Sequence, residues 1–410
     1  MFQVDTRTDG LDDGTVRGVF LKNKRNELFI QQSADLKRTS KNYQDSFAEK
    51  EQRREKKFMA KLSKAAGKYE NISPEEFREL GRKGFPHEQR SAIYEHLLHL
   101  NDFEVKYGVD YFSKCLKTDI PSSIGRVIQV DIPRTLSSFV STCGEMTKSI
   151  LMKMLRDVLW AFAVHKPEVG YCQSMNFIGA FFLSLFGSAK KSFYALVQLI
   201  DSPTSPYVGL HIPGYYAPGM SQLLLDIEVL EVMTRSRVGE RGYRSFFEKR
   251  EISNLSMIVS EWFHTLFITV FPIRTVYRVF DFVVANSGGS NKIIFRIAYT
   301  ILRELISRKH ELVDLDQVMQ GHKRITRQWV DHNALIVSCT RGLRMFSKKD
   351  LDKWRRQIRT NHVASGRSSG SSNQPVGNTM MRLEEAIAPQ TATSLSVPED
   401  AILVVPGDSN

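Results

Sequence analysis

An arginine and a glutamine in this 410-residue chain sit in segments suited to phosphoryl chemistry. Arg134 closes the segment Ile128-Gln129-Val130-Asp131-Ile132-Pro133-Arg134. Proline fixes its own φ, so a short Asp-x-Pro stretch is restricted in backbone. The guanidinium that follows is planar, permanently charged and matched to paired carboxylate or phosphate oxygens. Gln173 lies in Val169-Gly170-Tyr171-Cys172-Gln173-Ser174-Met175-Asn176, between an amphipathic segment and an apolar run. Its amide offers an acceptor and two donors without ionising, enough to orient a water molecule. An arginine and a glutamine with no acid–base pair of their own are what assisting phosphoryl transfer on a partner requires. A plainer alternative stands beside it, with Arg134 paired to Asp131 and Gln173 capping a helix end. Structural Arg–Asp pairs are common, and the residues alone favour that alternative.

Other chemistries fail on spacing. No G-x-x-x-x-G-K-[ST] or strand-borne G-x-G-x-x-G occurs, so no nucleotide site of its own is expected. Gly366-Arg367-Ser368-Ser369-Gly370 fits G-x-S-x-G, but it lies in a serine/glycine tail rather than a strand-to-helix elbow. His96 and His99 are spaced to share a helix face, yet no third ligand is evident. Cys115, Cys143, Cys172 and Cys339 are scattered with no C-x-x-C pair. The expectation is no metal and no cofactor, in a reducing compartment.

Helices are expected to position the candidate residues. Ile150, Leu151, Met154, Leu155, Val158, Leu159 and Phe162 draw a wide apolar stripe, with Lys153, Arg156 and Asp157 opposite. Leu223, Leu224, Ile227 and Leu230 repeat the period, as do Ile293, Ile294, Ile297, Ile301, Leu302 and Leu305. Ser73-Pro74-Glu75-Glu76 reads as a capping box with proline in the first turn. Breaks fall at Asp201–Pro206, His211–Gly214 and Ser287–Ser290, and alternating strand patterns are scarce. The fold class read from this is all-α, a single large multi-helix domain. Its divisions are a polar, charged N-terminal extension at 1–72, the domain at 73–309, a helical extension at 310–364 and a disordered tail at 365–410.

Composition bounds the rest. At 42% hydrophobic and 25% charged residues, the chain is not wholly disordered. Against 45 acids stand 57 lysines and arginines, a net +12. The basic residues concentrate between Lys50 and Lys68, interleaved with acids, and around Lys353-Trp354-Arg355-Arg356. Few aromatics accompany them, so no nucleic acid is expected. A solvated surface, with some attraction to anionic membranes, is the reading. The N-terminus lacks a signal-peptide pattern. Phe177–Phe186 is too short to span a bilayer, and Phe263–Ala285 carries His264, Arg274, Arg278 and Asp281. A cytoplasmic protein is expected, with peripheral attachment to endomembranes as an added option.

In this order, the segments resemble the TBC family of GTPase-activating proteins for Rab-type GTPases. Ile128-x-x-Asp131-x-x-Arg134 is similar to that family's arginine-finger motif, and Tyr171-x-Gln173 to its glutamine-finger motif. Arg82-x-Gly84-Phe85-Pro86 resembles its opening segment, and Arg278-Val279-Phe280-Asp281 one of its later helices. The resemblance spans roughly Glu79 to Lys309. It implies docking on a GTP-bound Rab, with a place in vesicle trafficking. Arg134 would stabilise charge on the phosphoryl oxygens and Gln173 would position the attacking water. Ile128, Asp131, Tyr171 and Ser174 would support the finger loops, while Arg82, Gly84, Pro86, Arg278 and Asp281 would form a structural motif. GTP and Mg would belong to the partner. The family usually has glycine where Ser174 stands, and tryptophan at Tyr94 and Phe280. Serine would be strained if that position needs φ > 0. Two alternatives follow: a catalytically idle Rab-binding scaffold of the same fold, and a basic adaptor for which the domain is only a platform.

Overall fold

The expected periodicity folds as helix throughout. The computed structural model describes residues 49–50, 52–139, 145–203, 205, 208–286, 288, 291–329, 331–340 and 347–364. Among them every regular element is α- or 3-10-helical, with no strand. The helices are α1 (52–64), α2 (Pro74–Lys83), α3 (Arg90–Leu97), α4 (Leu100–Tyr107), α5 (Tyr111–Leu116) and α6 (Ser122–Phe139). Then come α7 (Glu145–His165), α8 (Met175–Phe186), α9 (Ala189–Asp201), α10 (Ser221–Val238), α11 (Glu240–Phe246) and α12 (Ser256–His264). The chain continues through α13 (Ile273–Asn286), α14 (Lys292–Ser307), α15 (Leu315–Arg327), α16 (His332–Thr340) and α17 (Lys348–Ala364).

One helix sits at the centre. Every residue of α8 except Phe177 is buried, and a helix apolar on all sides must be surrounded. Around it pack α6, α7 and α9. The α7 stripe turns Leu151, Leu155, Val158, Leu159 and Phe162 inward. Asp157, expected on the polar face, is also buried. Arg156 and Lys153 lie over its carboxylate at 2.7 and 3.3 Å, and their own side chains stay about half exposed. On α10, Leu223, Ile227 and Leu230 face the core, whereas Leu224 is partly exposed.

Before α2, Ser73 and Glu76 form the expected capping box, with Glu76 N–H donating to Ser73 Oγ at 3.3 Å and Ser73 N–H to Glu76 Oε2 at 3.0 Å. The charged stretch between Lys50 and Lys68, read as a solvated surface, forms the helix α1, but α1 buries Phe58 and its Arg54 donates to Asn333 Oδ1 at 2.7 Å. At the other end, α16 packs on α13 and α14, and α17 on α10. Residues 1–48 and the tail from 365 onward, with its G-x-S-x-G, lie outside the described residues, as does Cys143. His99 does not share a helix face with His96. It lies between α3 and α4 with φ 53°, its ring 6.3 Å from that of His96.

A buried polar knot joins α2, α3 and α13. Asp281 accepts from Arg90 Nε at 2.9 Å, Tyr94 Oη at 3.0 Å and the Phe85 N–H at 3.0 Å. Arg278 donates to the carbonyls of Gly81 and Arg82 at 3.2 and 3.0 Å and lies 3.5 Å from Asp281. Gly84 is required twice over: its φ is 99°, and a Cβ there would overlap the Arg278 guanidinium. At Tyr94 the hydroxyl supplies a buried donor to the knot, and at Phe280 the ring packs 4.1 Å from that of Phe181.

Candidate functional site

Arg134 is on a helix, not on a loop. In α6, Ile128, Ile132, Leu136 and Phe139 are buried at helical spacing, and burial of that stripe holds the helix despite Pro133 inside it. Proline removes one backbone donor, while Thr135 donates its hydroxyl to the Asp131 carbonyl at 2.7 Å. The opposite face is open. Val127, Val130 and Arg134, spaced i, i+3 and i+7, are exposed together, the two valines at 48% and 51%.

Gln173 is on the connection from α7 to α8. The chain leaves α7 through Gly170, whose φ of 64° suits glycine. It then makes a turn closed by the Met175 N–H donating to the Cys172 carbonyl at 3.1 Å. Gln173 and Ser174 are its two central residues. Only Ser174 has positive φ, 100° with ψ −29°. That is the third position of a type II turn, where glycine belongs. Serine there is strained by about 1–2 kcal/mol.

The two segments are tied by side chains. Tyr171 Oη donates to Asp131 Oδ2 at 2.7 Å. Burial pushes the Asp131 carboxyl up, while the Tyr171 hydrogen bond and the Arg134 charge pull it down. Asn176 adds a second tie, donating from Nδ2 to Thr135 Oγ1 at 2.6 Å and accepting the Ser174 N–H at 2.8 Å. Asp131, Tyr171 and Ser174 thus meet around the α6–α8 junction, with Ile128 beneath in the core. Arg134, three residues after Asp131 on α6, is exposed, and Gln173, next to Ser174 in the turn, is half-buried. Arg82, Gly84, Pro86, Arg278 and Asp281 belong instead to the separate knot, where Arg82 contributes its carbonyl while its side chain is exposed.

The sequence of this chain matches the model of the Rab-GTPase-TBC domain over residues 87–310. The chain belongs to that TBC family. Human growth hormone-regulated TBC protein 1 is 30% identical over 258 residues, 63% of this chain and 70% of the relative. The mouse protein of the same name is 28% identical, covering 60% and 69%. Of solved structures, the Chlamydomonas flagellar RabGAP TBC domain superposes with TM-score 0.59 at 20% identity, over 73% of this chain and 94% of that one. The Ypt/Rab-GAP domain of Gyp1p gives TM-score 0.52 at 16% identity, over 72% and 99%. At such identities the two likenesses show the fold.

Within this TBC fold the sequence reading missed His264. Its Nδ1 lies 3.2 Å from Ser174 Oγ and its Nε2 3.4 Å from Cys172 Sγ. The one signal was a histidine inside an otherwise apolar run. Burial lowers His264 to about 4, against a Tyr215 backbone hydrogen bond that raises it, so the ring is neutral at pH 7. Among the described residues no cluster of His, Cys, Asp and Glu could hold a metal, and no helix is long and apolar enough to cross a membrane.

Proposed function

We propose that this chain accelerates GTP hydrolysis by a Rab-type small GTPase, with Arg134 and Gln173 supplied in trans. The observation that carries the reading is the Tyr171–Asp131 hydrogen bond of 2.7 Å. It links the arginine's helix to the glutamine's turn, so one rigid junction presents a permanent cation and a non-ionising amide. Arg134 stabilises negative charge developing on the transferred phosphoryl oxygens, and arginines supplied this way contribute on the order of 10³–10⁵ in rate. Gln173 orients the attacking water. The exposed Val127–Val130 stripe beside Arg134 is the apolar part of the docking face. GTP and Mg come with the partner. The working place is the cytoplasm, with the basic segments adding attraction to anionic membrane surfaces.

Ser174 favours a second reading, a Rab-binding scaffold whose strained turn misaims Gln173. Single-turnover hydrolysis by a panel of GTP-loaded Rab proteins separates the two, using wild type, Arg134→Ala and Gln173→Ala. Stimulation of at least one Rab, lost in both variants, is expected. Binding at the intrinsic hydrolysis rate would leave the scaffold.

A further inference from the structure

We propose that His264 is a positioning residue for Gln173, clamping Cys172 and Ser174 on either side of it to the end of α12. The inference rests on the reading of Gln173 as the residue that orients water. A turn with serine at positive φ keeps its geometry only where its surroundings over-determine it. His264 supplies that constraint from a side the α6 ties do not reach, through Ser174 Oγ at 3.2 Å and Cys172 Sγ at 3.4 Å.

The clamp itself is immobilised. His264 is 1% exposed, so water does not compete for its ring nitrogens. The Tyr216 ring stacks on it at 5.3 Å with 17° between planes, and Tyr216 Oη donates to its carbonyl at 3.1 Å. Directly after it α12 ends. Leu266 and Phe267 both take positive φ, 49° and 65°, and the Phe267 N–H donates to the Trp262 carbonyl at 2.9 Å. A neutral imidazole carries one donor and one acceptor, and the Tyr215 backbone hydrogen bond engages the donor. Hydroxyl and thiol can each donate or accept, so either can serve the ring nitrogen that is left as acceptor. Serine's hydroxyl at a glycine position thereby gives the turn an anchor that glycine would lack, and it also creates the need for one. From the anchor the connection continues from the Ser174 N–H to Asn176, and from Asn176 to Thr135 beside Arg134.

The test uses His264→Leu, His264→Asn and Ser174→Ala in the full chain. With the most strongly stimulated GTP-loaded Rab, His264→Leu should lower the maximal single-turnover rate about tenfold, the worth of one well-made hydrogen bond. The half-saturating concentration should move by less than about twofold, because docking is untouched. In a Gln173→Ala background His264→Leu should cost nothing more. In a Ser174→Gly background most of its effect should vanish, since glycine holds positive φ unaided. His264→Asn, which keeps a polar atom toward Ser174, should recover part of the rate. An equal loss with and without Gln173 would overturn the proposal. Hydrogen exchange of the amides of residues 172–175 in the free protein is read in parallel. Faster exchange confined to this turn in His264→Leu and Ser174→Ala is expected, and unchanged exchange would overturn the clamp. If wild type stimulates no Rab, the functional reading fails while the exchange result still decides the clamp.

Discussion

Asp281, with no exposed surface, accepts from three donors: the Phe85 N–H ahead of α3, and Arg90 and Tyr94 on α3. Arg278 completes the set at 3.5 Å. Removing the carboxylate charge would leave two buried guanidinium groups without their anion. Breaking a buried pair from one side costs about 3–5 kcal/mol. Asp281→Asn should therefore lower the unfolding free energy by that order in urea titrations. Arg82→Ala, whose side chain is exposed and whose carbonyl does the bonding, should stay within about 0.5 kcal/mol of wild type. Tyr171 belongs to the other site. Tyr171→Phe removes a hydrogen bond to a buried carboxylate, worth about 1.5–3 kcal/mol. Single-turnover assays should show a stimulated rate at least about tenfold lower, with the Arg134→Ala and Tyr171→Phe effects not adding in the double variant.

Helices respond to their caps and anchors. Ser73→Ala should cost about 1 kcal/mol, because the Oγ that accepts the Glu76 N–H is lost while the Ser73 N–H still donates to Glu76. The larger element-scale effect concerns α17. Arg355 donates to Asp226 Oδ1 and Oδ2 at 2.7 and 2.9 Å and to Asn291 Oδ1 at 2.8 Å. Tyr215 Oη donates to the same carboxylate at 2.7 Å. Arg355→Ala leaves Asp226 buried and short of its cation, so a loss of about 3–5 kcal/mol is expected in denaturant. Limited proteolysis should then cut within 347–364 before it cuts α10. The helices themselves were legible, since Ile293, Ile294, Ile297, Ile301, Leu302 and Leu305 are all buried where their spacing puts them. So was the capping box, a purely local device. Partners distant in sequence were not: nothing near Arg355 points to Asp226, because periodicity assigns a face but not what covers it. Pro133 reads as restricting the backbone before Arg134, and that it sits inside a continuous helix follows from packing of α6 against α7 and α8. At the site, the residue types were legible at Arg134 and Gln173, whereas the clamp at His264 needed the fold to bring it to Ser174.

Across the molecule, buried histidines set how it meets acid. His264 is lowered to about 4, and His322 and His332 to about 3, in each case chiefly by burial. Nearby cations add to the effect, Lys323 and Arg327 at His322 and four arginines led by Arg278 at His332. Each folded value lies below the unfolded value near 6.5. Between the two the unfolded chain binds more protons, so stability rises with pH through that window and falls as the medium is acidified from 6.5. Each histidine should cost about 2 kcal/mol between pH 7 and pH 5, or roughly 6 together. That is a large share of a typical folding free energy of about 5–15 kcal/mol, so unfolding should begin near pH 5, before most carboxylates protonate. His322 isolates the effect. Neither of its nitrogens has a hydrogen-bond partner among the described residues, and its ring lies 5.9 Å from that of Trp262. A ring that makes no polar contact can be replaced by an apolar one with little loss at neutral pH. His322→Phe should match wild type within about 1 kcal/mol at pH 7 and exceed it by about 2 kcal/mol at pH 5. Urea unfolding followed by tryptophan fluorescence at the two pH values checks this, and parallel losses in both proteins would show that the acid sensitivity lies elsewhere.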